Sequence, residues 1–203
     1  MLLPTPSGLV MPAKDGNILH LDIECRPLSW YAGDFVSKEV TAIAAKFRHK
    51  KRVYIWMLGQ HEPAEMAEEF LKLYNTADIV TGHHIRGFDL PILNSFLLEL
   101  GKSPLPSKLV SDTKNDLIKF HGFSKSQESL GDLLGIKRPK VSMSQMEWRE
   151  ANRLTKRGLK AVRERVIGDV LQHEELREKL IELNALGRPR MWYNTGLVEQ
   201  YEP

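Results

Sequence analysis

The sequence predicts an α/β domain built on a mixed β-sheet flanked by α-helices. Strand-like runs come early in the chain, short β and α segments then alternate, and helical periodicity dominates after about residue 113. The chain has 203 residues, 42% hydrophobic and 27% charged. That is an ordinary globular balance, long enough to bury a continuous core without staples.

Residues 17–24 (NILHLDIE) read as a strand buried on both faces, because Ile18, Leu19, Leu21 and Ile23 are apolar. Residues 39–47 and 52–58 are two more strands rich in β-branched and aromatic side chains, and the charged turn between them predicts a hairpin. Residues 63–75 carry apolar positions at helical spacing, with Pro63 suited to a first turn. Residues 77–82 form a short strand, and 89–100 a helix that stops at Gly101. Further helices are expected near 113–121, 127–134, 143–153 and from about 158 to 185, interrupted at Pro139 and Gly158.

The domain is expected to occupy 17–186, after an irregular lead-in (1–16) and before a tail (187–203) without clear period. The lead-in lacks the basic leader of a signal peptide, and no apolar run approaches the roughly 18 residues a membrane span needs. Cys25 is the single cysteine, so an internal disulfide is excluded and a reducing, cytoplasmic setting fits. A net charge of +3 says little about nucleic acid; the distribution of charge says more.

Asp22 and Glu24 are two residues apart on a strand, so their side chains share one face. Two carboxylates on an otherwise apolar strand are costly unless a cation neutralises them, and hard oxygen donors suit magnesium or manganese. The rival reading ends the strand near Asp22 and solvates both acids. Asp89 stands where a strand hands over to a helix, a frequent site position in α/β sheets and equally a frequent helix cap. Asp169 lies among Val166, Ile167, Val170 and Leu171 in the long helix, with Gly168 allowing a close approach, or else faces solvent at the stripe's edge.

The stretches HLDIEC, TGHHIRGFDLPIL and RVIGDVLQHEEL follow the order and spacing of the three exonuclease motifs of the DEDD, ribonuclease H-like superfamily. The second resembles the proofreading domain of family B DNA polymerases, with its G-x-N-I-x-G-F-D-x-P pattern. The linking stretch SDT…ESLGDLLGI is similar to the helical segment between motifs two and three. The resemblance covers about residues 17–185. It implies a 3′–5′ exonuclease acting on single-stranded DNA by a two-metal mechanism. Asp22, Glu24, Asp89 and Asp169 would hold two divalent ions, Mg2+ or Mn2+. Phe88 matches a packing aromatic.

Two departures stand out. The Tyr four residues, or His five residues, before the last Asp is replaced by Arg165 and Glu164, and the second-motif Asn by His84. Glu164, or His173 one turn past Asp169, is the candidate to orient water in their place; His83 and His121 are unranked. Arg153, Lys156, Arg157, Lys160, Arg163 and Arg165 form a basic run before Asp169. Lys160, Arg163 and Arg165, with His84, are candidate substrate contacts, against the alternative of a solvated helix face. Trp30, Tyr31 and Phe35, in a loop-like stretch, either stack on bases or plug the sheet edge. The partners implied are single-stranded DNA and a DNA polymerase or other replication protein, in a bacterial or phage-infected cell. The alternatives are an RNA-trimming exonuclease and a nucleic-acid-binding or polymerase-docking module with weakened catalysis.

Overall fold

A computed structural model describes residues 16–31, 35–138 and 141–193. Its elements are β1 (Ile18–Tyr31), β2 (Phe35–Phe47), β3 (Tyr54–Met57), α1 (Pro63–Thr76), β4 (Ile79–Gly82), α2 (Asp89–Glu99), β5 (Lys108–Asp112), α3 (Gln127–Leu133), α4 (Gln145–Asn152), α5 (Lys156–Glu182) and β6 (Arg190–Trp192). The strands form one sheet in the order β3-β2-β1-β4-β5-β6. β1, β4 and β5 run parallel, while β2 and β6 are antiparallel to their neighbours and β3 is antiparallel to β2. The sheet is therefore mixed, with β1 near its centre.

Alternation along β1 divides the molecule. Leu19, Leu21 and Ile23 pack with Met66, Phe70 and Tyr74 of α1 and Leu90, Leu93 and Leu97 of α2 in the main apolar core. On the other face, Ala42, Ala44 and Met57 meet Val162, Val166 and Val170 of α5, spaced one helical turn apart. β2 places Ala44 opposite Asp22 and Ala42 opposite Glu24. Small residues there let α5 lie close without covering the acids.

Several expectations need correction. Residues 25–31 and 35–38 are not a loop. They extend β1 and β2 into a long hairpin, with register shifts at Glu24/Cys25 and Pro27/Ser29. Proline cannot donate to a ladder, and such irregularities hid the strand from a simple alternation. The side chains of Trp30, Tyr31 and Phe35 lie outside the described residues. No helix spans 113–121. The segment before it is β5, and Asp112 Oδ1 then accepts backbone N–H bonds from Lys114 (2.9 Å) and Asn115 (3.0 Å). Such local bonds compete with a helix.

Gly158 does not interrupt α5 but sits in its first turn, where its N–H donates to the capping Thr155 Oγ1 at 3.1 Å. A Cβ there would stand 2.2 Å from the Ala151 backbone nitrogen, so glycine permits the α4–α5 contact. The charged turn at 46–52 also docks on α5. Lys46 and Arg48 are ion-paired to Glu174 (2.5 Å) and Glu178 (2.7 Å), clasping the hairpin to α5. Within 187–203, residues 190–192 add a strand beside β5. Among the described residues, no helix is long and apolar enough to cross a membrane.

Candidate metal centre

β1 and α5 bring three carboxylates together. Asp22, Glu24 and Asp169 each offer an oxygen within 4.8 Å of the others. The strand period puts Asp22 and Glu24 on the α5 face, and the valine stripe that docks α5 turns Asp169 towards them. Asp89 is the first residue of α2 and is buried. Its Oδ1 accepts the N–H of Ile23 at 3.2 Å, so its carboxylate is tied to the strand that carries the other acids. All four line one cavity of about 370 Å3, with Ile23, His83, His84, Phe88, Lys114, Ser126, Gln127 and Arg165.

The clustering is electrostatically costly. Burial pushes the Asp22 carboxyl well above its ordinary range, and the neighbouring Asp89, Asp169 and Glu24 push it further. Burial drives Asp89 up to about 8, against the pull of backbone hydrogen bonds. Oxygen-only donors favour a hard divalent cation, and bringing one in would offset the mutual repulsion of the acids. The donor set fits such an ion, although one cation is already supplied by the chain. Arg165 Nε donates to Glu24 Oε1 at 2.5 Å, and its Nη2 lies 3.6 Å from Asp169 Oδ2. Burial opposes its charge, while Glu24 and Asp169 hold its pKa above the ordinary value. Its Nη1 donates to the Val141 carbonyl at 2.8 Å, and the guanidinium lies 5.2 Å from the Trp148 ring centroid.

The turn after β4 is a scaffold for the rim. His84 has φ 64, the left-handed region where Asn, Asp and His are the commonest non-glycine residues. The same conformation suits the Asn that the motif resemblance expects there. Gly87 makes room for the imidazole, since a Cβ there would approach His84 Cε1 to 2.6 Å. Asp112 fixes this turn from β5: its carboxylate accepts from the His84 N–H (3.0 Å) and the Arg86 N–H (3.2 Å). Arg86 in turn forks onto Asp116 at 2.7 and 2.8 Å. Asp112 and Asp116 are thus positioning groups.

The other candidates separate clearly. His83 lines the cavity, its Nδ1 3.0 Å from Thr113 Oγ1. Glu164 points outward and lies 3.9 Å from Lys160, both largely exposed. His173 is not a surface residue. It is buried against His20, with Nδ1 atoms 3.0 Å apart, and does not line the cavity. Burial lowers the pKa of both imidazoles, with the charge of Arg177 also contributing. Of the basic run before Asp169, only Arg165 lines the cavity; Arg153, Lys156, Arg157, Lys160 and Arg163 are exposed. Arg163 lines a separate groove beside β3.

Besides Arg165, Lys114 brings positive charge to the cavity, at the start of the segment that leads to α3. Lys114, Ser126 and Gln127 border the cavity, and the chain between them carries Lys119, Phe120, His121, Phe123 and Lys125. Phe120 and Phe123 are 39% and 37% exposed, with ring centroids 6.1 Å apart. Alternating cations and exposed aromatics can hold phosphates and stack bases. The readable signal was that alternation, masked by the expected helix.

No protein-family profile and no curated protein matches the sequence. Among solved structures, the chain is similar to the family B DNA polymerase from the hyperthermophilic archaeon Pyrobaculum calidifontis, with a TM-score of 0.63 and 18% identity. The match covers 85% of this chain and 26% of the polymerase, so this chain spans about a quarter of that polymerase's length. At that identity the likeness establishes fold alone: a ribonuclease H-like mixed sheet flanked by helices, shared with part of a DNA polymerase.

Proposed function

We propose that the protein is a metal-dependent 3′–5′ exonuclease acting on single-stranded DNA. The observation that carries the reading is the convergence of Asp22, Glu24 and Asp169 within 4.8 Å, beside the buried Asp89, in one open cavity. Mg2+ or Mn2+ held by these acids would supply a more acidic water and charge stabilisation at the phosphate. The chain's own residues do the rest. Asp22, Glu24, Asp89 and Asp169 position the ions. Of the two imidazoles that line the cavity, His83 orients the attacking water in place of the Tyr or His expected from the resemblance. His84 and Lys114 contact the terminal phosphate, while Phe120 and Phe123 stack bases of the incoming strand. The likeness to part of a DNA polymerase supports DNA, and a replication protein, as partners.

The test uses a 5′-labelled single-stranded DNA oligomer with Mg2+, Mn2+ or chelator, beside Asp22→Ala and His83→Ala proteins. A metal-dependent ladder shortening from the 3′ end, absent in Asp22→Ala, is expected. His83→Ala is expected to slow it by roughly 10²–10⁴-fold. An RNA oligomer in parallel separates the RNA-trimming alternative. Cleavage that persists in Asp22→Ala would sink the assignment.

A second reading has a specific observation behind it. Arg165 stands in the motif position expected for Tyr and is bonded to Glu24. A module that binds nucleic acid without cutting it accommodates that ion pair. DNA retained without cleavage under any metal is the outcome that favours it.

A further inference from the structure

We propose that Arg165 is a displaceable stand-in for a divalent ion, competing with metal for Glu24 and Asp169. The inference rests on the metal-binding reading above and concerns how the site is charged. Its guanidinium spans two of the three carboxylates whose oxygens converge, 2.5 Å from Glu24 Oε1 and 3.6 Å from Asp169 Oδ2. These side chains are only 16%, 14% and 6% exposed, so the contacts are poorly screened by water. An ion and the guanidinium compete for the same two carboxylates, and like charges side by side repel. A neutral Tyr or His would impose no such competition.

Arg165 also has somewhere to remain when the acids are taken. The Val141 carbonyl and the Trp148 ring hold the guanidinium independently of both carboxylates. A shift of the fork away from Glu24 therefore does not leave a buried charge unsolvated. A released guanidinium at the cavity wall can bond an incoming phosphate with the same planar donors. Arg165 thus partly offsets the charge of the metal-free acids and makes metal entry depend on its displacement.

The experiment is Mn2+ binding by calorimetry to the full chain, with thermal melts in chelator and in Mn2+. It compares wild type with Arg165→Gln and Arg165→Lys. Arg165→Gln is expected to bind Mn2+ roughly tenfold more tightly or better. Its melting point should be lower than wild type in chelator and should rise more on adding Mn2+. Arg165→Lys, which cannot hold Glu24, Val141 and Trp148 with one planar group, is expected to fall between. The Lys protein keeps the test decisive if the Gln protein does not fold. Equal affinities across the proteins would overturn the competition and leave the metal centre intact. Weaker binding in the variants would overturn it and make Arg165 a support for the ion. No binding in any folded protein would remove this inference and the exonuclease reading together.

Discussion

The two faces of β1 differ in kind. One presents Leu19, Leu21 and Ile23 to α1 and α2, and every one of them is buried among apolar neighbours. The other presents His20, Asp22 and Glu24 to α5. There, a buried imidazole meets a second imidazole, and carboxylates meet another carboxylate and a guanidinium. A single period-2 strand thus separates stability from chemistry. The apolar face stabilises the fold in any buffer. The polar face is adequately neutralised only when its charges have partners.

Damage to the apolar face gives the largest stability effect. Leu21→Ala is expected to lower unfolding free energy by about 2–5 kcal/mol in urea melts, with or without metal. A loss that Mn2+ reverses would mean the two faces are not separable. Asp22→Asn works in the opposite sense. By removing one of the crowded acids it should raise stability in chelator by about 1 kcal/mol, while abolishing the stabilisation by Mn2+. A fall in chelator would show that the acid cluster supports the metal-free fold.

The smallest effect is a pH slope. The raised carboxyl pKa values of Asp22 and Asp89 mean the metal-free folded state holds protons that the unfolded chain has released. Their contribution is fully present below the ordinary carboxylate pKa and is lost as pH rises through the raised values, which for Asp89 is about 8. His20 and His173 act with the opposite sign. Their lowered pKa values leave the unfolded chain binding more protons, so their contribution is lost as pH falls through about 6.5. The two effects oppose each other at mildly acidic pH. Above about pH 7 the imidazole effect fades, and towards the Asp89 value of about 8 the acids dominate. In chelator the melting point should decline across that interval, and Asp89→Asn should flatten the decline. A slope unchanged in the variant would assign the titration elsewhere.

This contrast also explains what could be read from the chain. The alternation around Asp22 and Glu24 was legible because period 2 is local, and Asp169 stood out against a helical valine stripe. The α/β mixed sheet followed from segment order. What escaped depends on contacts distant in sequence. β5 and β6 are each defined by their neighbours in the sheet. The ion pair between Arg165 and Glu24 joins residues 141 apart. Asp112 did leave a local trace, since an Asp that accepts from the next two or three backbone N–H groups has a recognisable turn chemistry. The basic run before Asp169 misled because charge along a helix says nothing of which side the helix turns inward.

Ala42 and Ala44 set the clearance between sheet and helix at the acids. Neither touches the chemistry, yet both belong to the innermost packed layer beneath α5. A drift from Ala44 to valine would add only two methyl groups, a change that looks neutral in composition and propensity. It would press on α5 opposite Asp22 and alter the distance on which the carboxylate triangle depends. Silencing this protein over evolutionary time therefore need not begin at an acid. A tolerance map would find the sharpest constraint partly at residues that carry no charge at all.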